Sequence, residues 1–227
     1  MLYCMPFLRY VYGVTGEKID MFTSDYCEPC RTLFECQPFI NSFNIAPGYK
    51  VERMDMGCQP AHANIEEYEH VFQLGFQSVP DRAIHQFIAH CQGIDIELGI
   101  RYNYPEFPAW NLAGEYVCIA PRGETSFKQL FNNVADQTDA VIIGGVGDYT
   151  GHGFDATGLS LANTTTILSR AKSFVGLMSS QLVLANGFDI PRIAPWDGHS
   201  WDMRHVIYGP YNHYPINPSV DDILNIL

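Results

Sequence analysis

The chain has 227 residues, 47% of them hydrophobic and 17% charged, with a formal net charge of −12. That composition builds a sizeable core in one large or two small domains. The acidic balance excludes a broad nucleic-acid footprint, which needs a clustered basic surface, but a few backbone amides and one Lys or Arg still suffice for a diphosphate.

The chain has seven cysteines, an odd number, without dense regular spacing. This favours reduced thiols in a cytosolic setting over a disulfide framework. No apolar run approaches the ~18–20 residues of a membrane span. The opening Met1-Leu-Tyr-Cys-Met-Pro6 lacks a basic region followed by an apolar core, so no signal peptide is expected.

In chain order, Leu2, Met5, Leu8, Val11 and Tyr12 repeat at helical spacing, and Gly13 and Gly16 are expected to end that helix. Lys18–Phe22 reads as a strand, Pro29–Cys36 as a helix, Val71–Leu74 as a short strand and Asp81–Cys91 as a helix. Gly99–Trp110 carries Tyr102, Tyr104, Pro105, Phe107 and Pro108 and reads as a linker. The second lobe starts at Leu112. There, apolar runs at 116–120, 140–143, 173–175 and 190–194 alternate with helical segments. Such alternation predicts right-handed βαβ units and a parallel sheet, whose ligands bind outside the carboxyl ends of the strands. Ser126 is the expected cap of a helix reaching Gln137, and Ser160 with Asn163 resembles a capping pair. Gly144–Gly153 is a Gly-rich loop. A helix through Leu182, Val183 and Ala185 is expected to close at Gly187, and Ser219 caps a short amphipathic helix reaching Leu227.

Taken in order, these segments resemble the GT-B glycosyltransferases, specifically the heptosyltransferase-like family. Met5-Pro-Phe-Leu-Arg9 looks like the family's helix after its first loop, and Lys18–Phe22 like its second strand. Gln37–Asn41 looks like its Pro-apolar-Asp/Asn turn. Ile119-Ala-Pro-Arg-Gly123 with Lys128 looks like the opening of the nucleotide-binding lobe. Val141–Gly145 looks like that lobe's second strand, and Leu159 to Pro191 like its helix–strand–turn–helix–strand segment. The resemblance implies two Rossmann-like α/β lobes, an abbreviated acceptor-side lobe at residues 1–107 and a donor lobe at 108–227. It implies transfer from a nucleotide-sugar donor to a glycan or lipid-linked acceptor, by direct displacement without a metal or cofactor, in the cytoplasm. Homo-oligomerisation stays open.

Two departures stand out. The family's first strand and Gly-Asp loop, which carries the usual base, would precede Leu2. The turn that usually reads Asn-Asp-Ser-Gly here reads Leu177-Met-Ser-Ser180. The expected donor contacts are Arg122, Lys128, Gly144, Gly145, Ser179, Ser180 and Gln181. Each has a plainer reading: surface cation for Arg122 and Lys128, turn glycine for Gly144 and Gly145, helix N-cap for the serines. No base is assigned, with Asp25 and Glu28 as replacements to weigh.

Two other constellations compete. Cys27-Glu-Pro-Cys30 follows a strand and precedes a helix, as in thioredoxins. It reads first as incidental, then as redox-active, then as a zinc site with Cys36 or Cys58. Trp196–His205 holds two His and two Asp and reads first as a variable loop near the acceptor. A nucleotide-sugar-binding protein without catalysis and a thiol–disulfide oxidoreductase are the alternative functions.

Overall fold

The computed structural model describes residues 2–46, 65–72, 74, 82–98, 112, 114–121, 127–198 and 211–227. The chain divides into two compact units, Met1–Tyr104 and Pro105–Leu227.

In the first unit a 3-10 turn at Leu2–Cys4 leads into α1 (Met5–Thr15), which buries Met5, Phe7 and Leu8. Gly13 does not stop this helix. Gly16, at φ 74°, does, and its N–H donates to the Tyr12 carbonyl at 2.7 Å. β1 (Ile19–Thr23) is followed by a 3-10 segment at Asp25–Cys30 and by α2 (Arg31–Glu35). β2 (Ile40–Ile45) pairs with β1 in parallel, although its first residues were expected to form a turn. α3 (Ile84–Cys91) packs on α1 and buries Ile84, Phe87 and Ile88. The strand expected at 71–74 does not form at its described positions. Phe72 instead meets Phe7 edge-on, with ring centroids 5.2 Å apart.

The second unit contains β3 (Val117–Ala120), α4 (Lys128–Ala135), β4 (Ala140–Gly144), β5 (Phe154–Thr157), α5 (Leu161–Arg170), β6 (Ser173–Gly176), α6 (Ser180–Ala185), β7 (Arg192–Ile193), β8 (Asn212–His213) and α7 (Val220–Leu224). Its six strands are all parallel, in the order β5-β4-β3-β6-β7-β8. β3, β4 and β6 are apolar apart from Ser173 and are buried on both faces apart from the half-buried Gly144, as parallel strands usually are. Val117, Ile119, Ile142, Val175 and Ile193 meet Phe131 and Val134 of α4 and Ile223 of α7 on one face. α5 and α6 pack together and contribute no residue to that cluster, as right-handed crossovers to the other face would have it.

Several boundaries differ from the sequence reading. The run at 190–194 contributes only two strand residues. α6 ends at Ala185, one residue before its Asn186 cap, so Gly187 is not the cap. Phe127 occupies the N-cap position of α4; Ser126 lies outside the described residues. Ser160 caps α5 by accepting from the Asn163 N–H, and Ser219 with Asp222 forms a full capping box on α7. The α/β class with parallel sheets is as expected.

Candidate functional site

The first three strands of the second unit step in one direction, β3 to β4 to β5. The next three step in the other, β6 to β7 to β8. The order therefore reverses between β3 and β6. At such a switch point the two connections leave on opposite faces, and a crevice opens at the carboxyl ends of the strands. Ala120 and Gly176 are paired across that boundary. Neither has a side chain large enough to fill the crevice, and a Cβ on Gly176 would lie 2.7 Å from the Phe174 ring.

The connection after β3 carries Pro121 and ends at Lys128, the first residue of α4. Arg122 lies outside the described residues. Lys128 is exposed and makes no ion pair among the described residues. Its position is electrostatically costly: a cation in the first turn opposes the helix dipole, by about 0.3–1 kcal/mol. No acidic residue in that turn offsets it. An anionic ligand would.

The connection after β6 carries Leu177, Met178, Ser179 and Ser180. Leu177 turns back and packs on the α4–α7 core cluster, which explains an apolar residue at that place. Ser179 sits at the N-cap of α6 in extended conformation, yet its side chain makes no capping bond. Its hydroxyl donates to the Gln181 Oε1 at 2.9 Å, and the Ser180 hydroxyl donates to the same oxygen at 3.0 Å. The plain N-cap reading of these serines is therefore not met. They converge instead on one amide side chain, as a cluster of two hydroxyls and a carboxamide at the edge of the crevice.

Gly144 and Gly145 behave differently. The Gly145 N–H donates to Asp148 Oδ2 at 2.7 Å. Asp148 also fills the space over Gly144, where a Cβ would come within 2.5 Å of its carboxylate. Gly144 has φ 145°, which favours glycine. The loop thus folds on its own aspartate, and the Gly145 amide is not offered to a ligand. An Asp three residues past a glycine is turn chemistry that the sequence did carry.

Neither replacement base is free to the same degree. Arg31 grips both oxygens of Glu28, at 2.6 and 2.9 Å, and also holds Glu35 and the Phe43 carbonyl. Those bonds hold the Glu28 carboxyl below the usual range. Asp25 opens the 3-10 segment and is exposed. The dithiol does not have the thioredoxin geometry. Cys27 and Cys30 lie inside the 3-10 segment rather than at the head of a long helix, and burial pushes the Cys30 thiol up. Among the described residues no three His, Cys, Asp or Glu side chains gather as a metal would require. Cys58 and residues 199–205 of the His/Asp stretch lie outside them.

A concavity at the opposite, amino edge of the sheet is lined by Glu115, Asp136, Asp139 and Lys172. Its acidic lining is unsuited to a phosphate.

No family model matches the chain, and no curated protein matches it significantly. Solved structures do. A family 9 glycosyl transferase from Veillonella parvula superposes with a TM-score of 0.68 at 12% identity, covering 99% of this chain and 84% of that one. The ADP-heptose lipopolysaccharide heptosyltransferase II of E. coli gives 0.61 at 12% identity, over 100% and 93%. The chain has the fold of these glycosyltransferases. TibC, described as a dodecameric iron-containing heptosyltransferase in complex with ADP-D-β-D-heptose, gives 0.63 at 14% identity over 96% of this chain. The chain spans 61% of the length of TibC. At these identities the likeness establishes fold. Among the described residues, no helix is long and apolar enough to cross a membrane.

Proposed function

We propose that this chain is a glycosyltransferase that binds a nucleotide-sugar donor in the crevice between β3 and β6 and passes the sugar to a glycan or lipid-linked acceptor. The observation that carries this reading is the reversal of strand order at Ala120 and Gly176, with Lys128 on one flanking connection and Ser179, Ser180 and Gln181 on the other. The solved relatives support it, since they are named as glycosyl and heptosyl transferases and one was solved with ADP-D-β-D-heptose. In this reading residues 108–227 are the donor side, residues 1–107 the acceptor side, and the protein works in the cytoplasm.

The chemistry follows from charge. An acceptor hydroxyl oxygen attacks the anomeric carbon as the bond to the diphosphate oxygen breaks, and negative charge grows on the leaving diphosphate. Lys128 compensates that charge, and with it Arg122. The Ser179 and Ser180 hydroxyls turn from Gln181 to donate to phosphate oxygens, while the Gln181 amide nitrogen supplies a further donor. Gly144 and Gly145 keep the neighbouring loop low rather than contacting the ligand, because Asp148 occupies their approach. Among the described residues no three His, Cys, Asp or Glu side chains gather as an iron such as that of TibC would need. The acceptor's base is left unassigned. The pairing of Glu28 with Arg31 favours, as a second reading, a protein that binds the donor without turning it over.

Calorimetric titration with ADP-, UDP- and GDP-linked sugars tests the reading. At least one donor binds, and K128A weakens it about tenfold, the equivalent of ~1.4 kcal/mol. Failure of every donor to bind would overturn both readings; binding with no product from any lipid-linked or glycan acceptor would select the second.

A further inference from the structure

The pair Cys27 and Cys30 is unused by the donor site. It lies on a single 3-10 segment, Asp25–Cys30, immediately after β1. In a 3-10 helix three residues make a full turn, so side chains at i and i+3 eclipse and their Cα atoms are separated by a rise of about 6 Å. Disulfides bridge Cα separations of about 4.4–6.8 Å. An α-helical pair at the same spacing would be offset by about 60° around the axis. The two cysteines therefore lie on one side of a single turn, at a Cα separation that a disulfide can span. Both thiols are free and half-buried. Their neighbours Tyr26, Glu28 and Pro29 are exposed and do not cover them.

We propose that Cys27 and Cys30 form a reversible disulfide on reaction with small-molecule disulfides of the glutathione type, making this turn a thiol-oxidation site. Cys27 attacks first. Burial raises the Cys30 thiol, and the neighbouring Cys27 raises it further, so Cys30 is the weaker initial nucleophile. The Cys27 thiolate attacks one sulfur of glutathione disulfide, that S–S bond breaks, and one glutathione leaves with the proton Cys27 released. Cys30 then gives up its proton and attacks the Cys27 sulfur of the mixed disulfide, expelling the second glutathione as its thiol. Two protein thiols are oxidised and one glutathione disulfide is reduced to two thiols. The closed ring spans few residues, so it gains little from chain entropy and is readily reversed.

Cys4 is the rival partner, since it lies within electrostatic reach of Cys27. It is buried in the core and its thiol is directed at the Leu74 carbonyl, 3.6 Å away. Arg31, the nearest cation in sequence, is committed to Glu28 and Glu35. Arg31 is therefore not available to stabilise a thiolate here, and the proposal rests on the spacing and exposure of the pair.

The test uses the full chain treated with glutathione disulfide without oxygen, then alkylated and digested after Lys and Arg. Ile19–Arg31 is released as one peptide carrying both cysteines. It is expected to lose two hydrogens, to take no alkyl group, and to regain both thiols with dithiothreitol. C30S is expected to stop with one glutathione attached at Cys27. Three results would overturn the proposal: both cysteines alkylated in the wild-type peptide, the wild-type protein halting at the mixed disulfide, or Cys27 linked to the Cys4 peptide.

Discussion

Ala120 and Gly176 sit side by side at the carboxyl ends of the two strands between which the sheet reverses its order. A Cβ on Gly176 would approach the Phe174 ring to 2.7 Å and the Ala120 Cβ to 3.0 Å. The floor of the crevice is therefore set by the absence of a side chain. G176V is expected to cost about 1–3 kcal/mol of stability through overpacking. It is also expected to weaken donor binding by more than the unfolded fraction explains. Urea unfolding and calorimetry on the same preparation separate the two effects.

Lys128 should trade stability for binding. It sits uncompensated in the first turn of α4. K128E is expected to leave stability unchanged or raise it by a few tenths of a kcal/mol, because an anion suits that helix end. The same change is expected to abolish donor binding. A loss of both stability and binding would assign Lys128 a packing role instead.

His85 makes the first unit sensitive to acid. Its side chain is buried, its Nδ1 has no hydrogen-bond partner, and burial lowers its pKa from the usual 6.5 to about 4. The folded state therefore holds His85 neutral, while the unfolded chain takes up a proton below pH 6.5. This contribution is fully present above pH 6.5 and is lost as pH falls toward 4. By pH 5 the loss is about 2 kcal/mol. Unfolding free energies at pH 7 and pH 5 should differ by that amount in the wild-type protein and by much less in H85F.

Arg192 anchors the far end of α6. Its guanidinium is buried, donates to the carbonyls of Ala185 and Phe188 and to Asn212 Oδ1, and lies over the Tyr211 ring. Burial lowers its pKa to about 10, so it stays charged near neutrality. R192K keeps the charge and loses the fork. With buried carbonyls left unpaired, a cost of about 2 kcal/mol is expected from thermal or urea unfolding.

Much of the second unit could be read from its residues. β3 and β4 are unbroken apolar runs, and β6 departs from one only at Ser173; each is closed by Pro or Gly, so burial on both faces was written in composition. β5 was not legible. Phe154-Asp-Ala-Thr157 is an edge strand with two exposed residues, and only its pairing with β4 defines it. β2 hid for a similar reason. Ser42 and Asn44 look like turn residues, yet Ser42 donates to Asp20 and Asn44 donates to Ser42, so their polarity is consumed by a network between strands. The Gly-rich loop was visible, but not that Asp148 closes it. The serines at 179 and 180 were visible, but sequence could not tell a capping hydroxyl from one aimed at Gln181.

Amide hydrogen exchange with and without a saturating nucleotide-sugar donor tests the central claim most directly. The account predicts slowed exchange at residues 177–181 and 121–128, the two connections that flank Ala120 and Gly176, and no change along the acidic amino edge at Glu115 and Asp139. Protection confined to that amino edge, or to the first unit, would contradict it.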